Sequence, residues 1–311
     1  MYVSKQNKIS INEIAKFLNI NYNGNDFFIS SFSSLNDPKN NSLLFFTPII
    51  NYKFNLDDNQ KYDLKKLNKM KNVALLVDKE FKTELDIPIL YSDNPRLDFQ
   101  RIVLKFFSVQ QIKSGVHNSA IIEKASTIGK NVWIGANCYI GNDVEIDDDT
   151  KIFPNTTIFG KTTIGKNSVI LSNSTIGSEG FSFSYDKKEL IHFPSLGSII
   201  IGNDVWIGAN CTIEKPQIDK TVIENHVKID DLVQIGHNAI IKQFTQIAAG
   251  TIISGRAEIG EHCWIAPNVV FDNGCYVGKN CIVGTSSLVR KNFSDNSVIA
   301  GSPAKFLRKN C

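Results

Sequence analysis

The chain has 311 residues, a formal net charge of +3 and six cysteines. This length allows a long repeat domain and one smaller domain. The slight charge, without a block of lysine and arginine interleaved with aromatic residues, argues against nucleic-acid binding. The chain begins without an apolar signal segment and has no apolar run long enough to span a bilayer. We therefore expect a cytoplasmic protein that does not insert stably into membranes.

Residues 1–115 lack any repeat, and they predict a small α/β domain that is a candidate for nucleotide binding. Ser10, with Glu13 three positions later, has the pattern of a helix start. The predicted helices are Ser10–Leu18, Lys61–Met70 and Asp98–Phe107, and the predicted strands are Ser42–Phe46 and Val73–Val77.

A branched aliphatic residue recurs every six residues from Ile122 to Ile176, again from Ile201 to Ile213, and then from Ile223 with one aromatic exception, Phe271. A period of six fits neither an amphipathic helix nor a simply alternating strand. It fits short strands joined by tight turns, three to a coil, so that residues 18 apart stack. The sequence therefore predicts a β-solenoid over residues 116–292, followed by a C-terminal tail at 293–311.

Two further positions of the repeat predict a narrow interior. Glycine often follows the aliphatic residue, as at Gly129 and Gly260, where we expect corner backbone angles that a Cβ would disfavour. Four residues after the aliphatic residue comes a small side chain that shares the interior. This slot also holds Cys138, Cys211, Cys263, Cys275 and Cys281. We therefore expect buried thiols rather than disulfides or metal ligands.

The repeat is interrupted twice. The step from Ile176 to Ile201 is 25 residues, and the step from Ile213 to Ile223 is ten. The first interruption predicts an insert at 178–199. Loops that leave a rigid scaffold commonly carry binding residues, so the insert is a candidate for substrate contact.

His237 follows a core aliphatic residue by two positions and should lie on a side or corner that faces away from the interior. One coil later the same column holds Gly255, whose bare backbone N–H could approach a ligand closely. Acyl transfer to an amine needs such a pair, because an imidazole can remove the amine proton while a backbone N–H stabilises the oxyanion. Asp219, near the column one coil earlier, is a candidate for orienting the imidazole. The alternative is an ordinary solvated turn histidine, which is how we interpret His226 and His262.

The repeat resembles the hexapeptide left-handed parallel β-helix of acyltransferases, and this resemblance implies the left hand. From Ile176 to Asn238 the chain is similar to the UDP-3-O-acylglucosamine N-acyltransferase family of lipid A synthesis. The matching segments are Ile176–Phe183, Ile207–Ile213 and Lys228–Asn238. The resemblance implies that His237 is the catalytic base and that the Gly255 N–H binds the oxyanion.

The resemblance extends to the N-terminal domain, most clearly at Tyr91–Pro95, and in the family this domain binds uridine. Phe46 and Tyr52 are the corresponding candidates, although the spacing of their segment departs from the family pattern. The candidate contacts to the sugar or nucleotide in the insert and beside His237 are Phe181, Phe183, Tyr185, His192 and Asn238.

Two features depart from that family. Gly274 stands where the family has a second functional histidine, and the chain stops at Cys311 where the family has a helical extension that docks acyl carrier protein. The ending, for example Gly301–Lys305, instead resembles sugar acetyltransferases that use coenzyme A. This second resemblance implies close approach of a thioester arm at small residues and phosphate contacts at basic residues. The residues concerned are Ala248, Ala266 and Gly284 for the arm, and Arg290, Lys291 and Lys305 for the phosphates.

The sequence therefore predicts an acyl-CoA-dependent N-acyltransferase acting on the amino group of a UDP- or dTDP-linked amino deoxysugar for surface polysaccharide synthesis. The alternative is the UDP-3-O-(3-hydroxyacyl)glucosamine N-acyltransferase of lipid A synthesis, with acyl carrier protein as donor. A non-catalytic β-helix that serves as a binding or assembly module stays open as a second class. Related enzymes are homotrimers with sites between neighbouring helices, so we expect a homotrimer. No residue cluster requires a metal.

Overall fold

The computed structural model describes residues 3–5, 8–47, 63–109 and 113–310. The chain divides into two compact units, residues 1–111 and residues 112–311. Within the described ranges, no helix combines the length and the apolar composition that crossing a membrane requires.

The N-terminal unit is built on a parallel sheet with two helices. The sheet contains, in spatial order, Ser31–Phe32, Ser42–Phe45, Val73–Asp78 and Ile89–Ser92. Two antiparallel pairs accompany it, Ile9–Ser10 with Phe28–Ile29 and Val3–Lys5 with Ser108–Val109. The helices are Ile11–Phe17 and Pro95–Phe106. Their apolar faces pack with the sheet in one core that includes Ile14, Leu76 and Ile102.

Helix boundaries in this unit follow the capping residues. Ser10 accepts a hydrogen bond from the Glu13 N–H at 3.1 Å, as its sequence pattern predicts. The second helix begins at Pro95, three residues earlier than expected, because Asn94 caps it by accepting from the Leu97 N–H at 3.1 Å. The helix predicted at Lys61–Met70 is a 3-10 helix at Leu64–Lys69. Residues 61 and 62 lie outside the described part.

The C-terminal unit is a solenoid of three parallel sheets, which the chain visits in turn. Sheet 1 contains Gly115–Val116, Trp133–Ile134, Lys151–Ile152, Val169–Ile170, Trp206–Ile207, Lys228–Ile229, Gln246–Ile247, Trp264–Ile265, Ile282–Val283 and Ser297–Ala300. Sheet 2 contains Ile121–Ile122, Tyr139–Ile140, Thr157–Ile158, Thr175–Glu179, Thr212–Lys215, Gln234–Ile235, Ile252–Ile253, Val270–Phe271 and Leu288–Val289. Sheet 3 contains Thr127–Ile128, Val144–Ile146, Thr162–Ile164, Ser198–Ile201, Lys220–Ile223, Ile240–Ile241, Glu258–Ile259 and Tyr276–Val277. In the C-terminal tail, Lys305–Lys309 pairs antiparallel with Ser297–Ala300 at the edge of sheet 1.

The aliphatic residues of the repeat stack in register and fill the interior. Ile140 pairs with Ile122 on one side and Ile158 on the other, a separation of 18 residues in each case. Ile158 and Ile235 are both 0% exposed and belong to one core that runs through the unit. The predicted solenoid is therefore confirmed. The fold is a left-handed parallel β-helix, preceded in the chain by the small α/β unit.

The glycines after the aliphatic residues are needed for a different reason from the one the sequence indicated. Their backbone is not in the left-handed region at most corners. Instead, a Cβ on Gly208 would lie 2.4 Å from the backbone of Asp230 in the next coil, and one on Gly260 would lie 2.5 Å from that of Gly278. The left-handed backbone angles occur two residues further on, commonly at asparagine or aspartate, as at Asn131 with φ of 58°. His226 and His262 occupy this turn position, as predicted.

Two adjacent isoleucines of one strand differ in burial, so truncating them to alanine should affect stability to different extents. Ile201 is 1% exposed and Ile200 is 38% exposed. We expect Ile201→Ala to lower the free energy of unfolding by about 2–5 kcal/mol, because it removes buried methylenes and leaves a cavity. The matched Ile200→Ala change should cost about 1 kcal/mol or less. Chemical denaturation of both variants measures this difference, and equal losses would contradict the inward orientation of Ile201.

The small residues of the repeat lie in the interior as predicted. Thr150 and Ser174 are fully buried, and their hydroxyls donate to the carbonyl oxygens of Gly165 at 2.9 Å and Gly208 at 2.8 Å. The cysteines of this slot are buried free thiols.

Thiol chemistry gives a direct test of this burial. Burial, with smaller contributions from the Asp231 and Asp230 carboxylates, raises the pKa of Cys211 to about 11. At pH 8 only ~10⁻³ of this thiol is thiolate, the reactive form. We expect iodoacetamide to leave the peptide that carries Cys211 unmodified in the native protein and to modify it fully in denaturant, as read by mass spectrometry. Native labelling as fast as that of the unfolded chain would contradict the inward position.

Candidate active site

One corner of the solenoid departs from the repeat in successive coils. Between Ile176 of sheet 2 and Ile201 of sheet 3 the chain leaves as the insert, so Ile176 pairs with Ile213, 37 residues on. In the next coil the same corner carries extra residues, and Ile213 pairs with Ile235, 22 residues on. His237 follows on this corner, and Gly255 follows one coil later. We call it the irregular corner.

Asn238 sets the orientation and the tautomer of His237. Asn238 Nδ2 donates to the Ile218 carbonyl oxygen at 2.9 Å, which makes the other amide atom an acceptor. This acceptor, Oδ1, lies 3.1 Å from His237 Nδ1. Nδ1 must therefore carry the proton in the neutral ring, which leaves Nε2 unprotonated. The structure thus gives His237 a free basic nitrogen on the side away from Asn238.

Gly255 lies directly against that nitrogen. A Cβ on Gly255 would be 2.6 Å from His237 Nε2 and 2.7 Å from Cε1, so only glycine permits this approach. Across the described residues, no hydrogen-bond acceptor engages the Gly255 N–H. At some comparable corner positions the N–H is occupied, as at Lys130, which donates to Asp148 Oδ1 at 2.7 Å. The structure therefore brings His237 Nε2 and Gly255 together, one coil apart in the same column. Their catalytic roles stay a prediction.

Glu214 holds the backbone of the histidine. Its Oε2 accepts from the His237 N–H at 3.2 Å, and its Oε1 accepts from Gln234 Nε2 at 3.2 Å. The Glu214 carbonyl accepts from the Thr221 hydroxyl at 3.0 Å, and Thr221 in turn accepts from the Asn238 N–H at 2.9 Å. The extra residues of the second coil are thereby tied to the turn that carries His237.

The structure corrects the role expected for Asp219. The side chain bonded to the imidazole is that of Asn238, as described above. Asp219 sits in a left-handed turn with φ of 70°, and its carbonyl accepts from the Ser198 N–H at 3.0 Å. It therefore anchors the returning end of the insert through its backbone. Asn238, expected to touch substrate, instead has both amide atoms bonded within the protein.

The base of the insert packs beside His237. A Cβ on Gly180 would lie 3.3 Å from His237 Cβ. The Gly180 N–H donates to the buried Ser195 hydroxyl at 3.0 Å, and the Ser195 N–H donates to Glu179 Oε2 at 2.7 Å. Burial acts to raise the pKa of Glu179, but the hydrogen bonds from Ser195 and the charge of Lys215 outweigh it and hold this pKa below its usual value. The carboxylate is therefore ionised at neutral pH and closes the insert at its base.

Beyond this base the insert forms an exposed hairpin of Phe183–Asp186 paired with Glu189–His192. Phe181 and Tyr185 are 84% and 74% exposed. Phe183 packs between Phe181 and His192, with ring centroids 5.2 Å and 5.0 Å apart. Of the predicted contacts, Phe183, Tyr185 and His192 thus lie on the hairpin, and Phe181 lies just before it.

The N-terminal unit contains two residues that were predicted to contact the nucleotide. Phe46 is 5% exposed and packs against Phe81 with ring centroids 5.8 Å apart. Because it ends an apolar strand run, it belongs to the core rather than to an open surface. Tyr52 lies outside the described residues.

The small residues predicted for the thioester arm lie on a different corner. Ala248, Ala266 and Gly284 each follow a strand of sheet 1, so they form one column at the corner between sheets 1 and 2. Ala248 and Ala266 are 8% and 7% exposed. Within one chain the structure does not bring this column together with His237.

The basic residues predicted for phosphate binding are divided. Arg290 and Lys291 lie on the irregular corner, after Leu288–Val289 of sheet 2. Arg290 Nε donates to Asp272 Oδ2 at 3.2 Å, and Lys291 Nζ lies 5.5 Å from the Phe293 ring centroid. Lys305 begins the exposed edge strand. In the portion of the chain that the structure describes, no group of three or more His, Cys, Asp or Glu side chains could hold a metal ion.

Glu214 and Gly180 were missed by the sequence analysis. The ten-residue step after Ile213 marks their corner, but the contacts join residues more than 20 positions apart. The path of each insertion away from the solenoid and back determines which of its residues contact His237, and the sequence does not show that path.

Several comparisons with known proteins bear on this geometry. Three family profiles match parts of the chain: the bacterial transferase hexapeptide (six repeats) at 256–291, the hexapeptide repeat of succinyl-transferase at 198–216 and the GMPPB C-terminal domain at 111–181. Among solved structures, UDP-N-acetylglucosamine acyltransferase of Francisella novicida aligns with a TM-score of 0.58 at 24% identity, covering 63% of this chain and 71% of that one. LpxA of Acinetobacter baumannii aligns with a TM-score of 0.56 at 25% identity, covering 63% and 74%. These structures share the β-helix fold.

Two curated relatives carry the same name. UDP-3-O-acylglucosamine N-acyltransferase of Hahella chejuensis is 36% identical over 42% of this chain, which spans only 37% of that relative's length. The enzyme of the same name from Campylobacter lari is 38% identical over 95% of this chain and 93% of its own length. A match of this extent and identity includes both units and the irregular corner. The chain belongs to the UDP-3-O-acylglucosamine N-acyltransferase family.

Proposed function

We propose that this chain transfers an acyl group from a thioester to the amino group of a UDP-linked amino sugar, with His237 as the general base. The observation that carries the proposal is the contact between the unprotonated His237 Nε2 and Gly255, whose N–H is free. A base and an oxyanion donor at one place are what attack on an acyl carbonyl needs.

The reaction needs no group beyond these two and the substrates. The amine nitrogen attacks the thioester carbonyl carbon while Nε2 takes one amine proton, and the Gly255 N–H donates to the oxyanion that forms. When the tetrahedral intermediate collapses, the carbon–sulfur bond breaks and the imidazolium returns the proton to the departing thiolate. The products are an amide on the sugar and a free thiol.

UDP-3-O-acylglucosamine is the acceptor we propose. The names of the relatives support it, and they support it better than the amino deoxysugar of surface polysaccharides that the sequence first favoured. The donor is acyl carrier protein or coenzyme A, since both present the acyl group as a thioester. One observation favours the amino deoxysugar as the alternative acceptor: this chain has Gly274 where the family resemblance places a second histidine.

A homotrimer is part of the proposal. The column of Ala248, Ala266 and Gly284 lies at the corner between sheets 1 and 2, whereas His237 lies between sheets 2 and 3. A thioester arm along that column can reach a histidine only if a neighbouring copy supplies it. Sedimentation of the protein should therefore give three times the chain mass, and a monomer that retains activity would contradict this arrangement.

The activity is tested by product mass. We expect the protein to add one acyl group to UDP-3-O-acylglucosamine with a 3-hydroxyacyl thioester, presented on acyl carrier protein and on coenzyme A in parallel reactions. UDP- and dTDP-linked amino deoxysugars with acetyl-CoA form the competing panel. A product only in that panel would favour an amino deoxysugar as the acceptor. No acylated product in any reaction would contradict the proposed function.

A further inference from the structure

Gln217 presents a buried amide on the irregular corner that bonds to nothing in the protein. The residue is 8% exposed, and its Nε2 is buried without a hydrogen-bond partner. Ser178 Oγ, on the strand paired with that of Glu214, is in the same condition. Among the described residues, the only other such side-chain atom is Asp78 Oδ2 in the N-terminal unit. Buried donors are almost always paired in native proteins, so an unpaired one needs an explanation.

The position of this amide ties it to the base. A Cβ on Gly180 would lie 2.9 Å from Gln217 Nε2 and 3.3 Å from His237 Cβ, so the amide and the histidine border the same glycine. No side chain at 180 separates them. The Gln217 backbone is held in place, since its carbonyl accepts from the Leu196 N–H at 3.1 Å.

Packing of the solenoid does not require a glutamine here. Gln217 belongs to the extra residues between Ile213 and Ile223, outside the six-residue repeat. An apolar residue at this buried place would carry no cost of desolvation, whereas an unbonded amide does. The amide is therefore explained by a group that the protein itself does not supply.

We propose that Gln217 determines acceptor specificity by donating a hydrogen bond from Nε2 to the ester oxygen on C3 of the sugar, next to the amine-bearing carbon. This inference rests on the proposed function. When the amine lies at His237 Nε2, two sugar oxygens flank it, the phosphate-linked oxygen on C1 and the ester oxygen on C3. A neutral amide suits a neutral ester or hydroxyl oxygen, whereas phosphates are typically bound by cations. The proposal requires Gly180, whose Cβ position lies 2.9 Å from Gln217 Nε2, to move aside when the sugar binds.

The test is a thermodynamic cycle that combines a change of the Gln217 side chain with removal of the 3-O-acyl ester of the substrate. Gln217→Met keeps the length of the side chain and removes its donor. Binding is measured by calorimetry for UDP-3-O-acylglucosamine and for an analogue whose 3-O-acyl ester is replaced by a hydrocarbon chain of equal length. We expect Gln217→Met to raise the Kd of the ester roughly tenfold. The analogue should bind the variant and the native protein alike.

Two controls separate this role from folding and from the reaction. Gln246→Met makes the same change at an exposed glutamine of sheet 1 and should alter neither Kd. Thermal unfolding of Gln217→Met should show a folded protein, and its KM for the donor should equal that of the native protein.

The outcomes distinguish the inference from the proposed function. The role of Gln217 is overturned if Gln217→Met leaves the Kd of the ester unchanged, or if it weakens binding of ester and analogue equally. In that case the proposed function still stands, provided that the native protein acylates the ester. A native protein that neither binds nor acylates the nucleotide sugar overturns both.

Discussion

His237→Ala should lower kcat for acyl transfer by roughly 10²-fold or more, because general-base catalysis typically contributes ~10²–10⁴-fold. The imidazole is held by the Asn238 side chain and by Glu214 at its backbone N–H, so its basic nitrogen is prepared before substrate binds. Alanine removes that nitrogen and leaves the Gly255 N–H in place. Initial rates at saturating donor and acceptor measure the effect, and the KM for the acceptor should change less than kcat.

The control for this change is a histidine of the same unit that has only a turn role. His262 has a left-handed backbone with φ of 56°, and its ring stacks on Phe244. His262→Asn retains a residue suited to that backbone, as Asn280 shows one coil later with φ of 54°. It should leave kcat unchanged. If His237→Ala retained the native rate, His237 would have no part in the mechanism.

Gly255→Ala is the second large effect that we expect. The new Cβ would lie 2.6 Å from His237 Nε2, closer than any real contact between these atoms, so the imidazole must move. A misplacement of about 1 Å in a reacting group can cost ~10²-fold in rate. The backbone N–H at 255 remains, so the loss reports the position of the base rather than removal of the oxyanion donor. Steady-state kinetics should show a fall in kcat of roughly this size.

Gly141→Ala is the matched change away from the site. Its Cβ would lie 3.2 Å from the nearest atoms, the Gly160 nitrogen and the Ile158 oxygen, which small shifts can relieve. We expect nearly native kcat in this variant and a folded β-helix in both. Native activity in Gly255→Ala would show that the reacting geometry does not depend on the contact between Gly255 and His237.

The site was partly predictable because the repeat fixes the sequence separation of residues that are neighbours in adjacent coils. Where the solenoid is regular, residues 18 apart are neighbours, and the pairing of Gln234–Ile235 with Ile252–Ile253 follows that rule. His237 and Gly255 could therefore be brought together from their numbers alone. Glu214 and Gly180 could not, because the insertions change the separation across this corner to 22 and 37 residues.

The sequence by itself determined the coil, its inward aliphatic stack and the slot for small side chains, because each repeat must bury the same face against its neighbours. Only the tertiary structure decided that the insert, the extra residues after Ile213 and His237 share one corner. It also decided that Asn238, rather than Asp219, bonds the imidazole. The physical reason is that such contacts depend on how far each loop leaves the scaffold before it returns, and a six-residue period carries no information about that path.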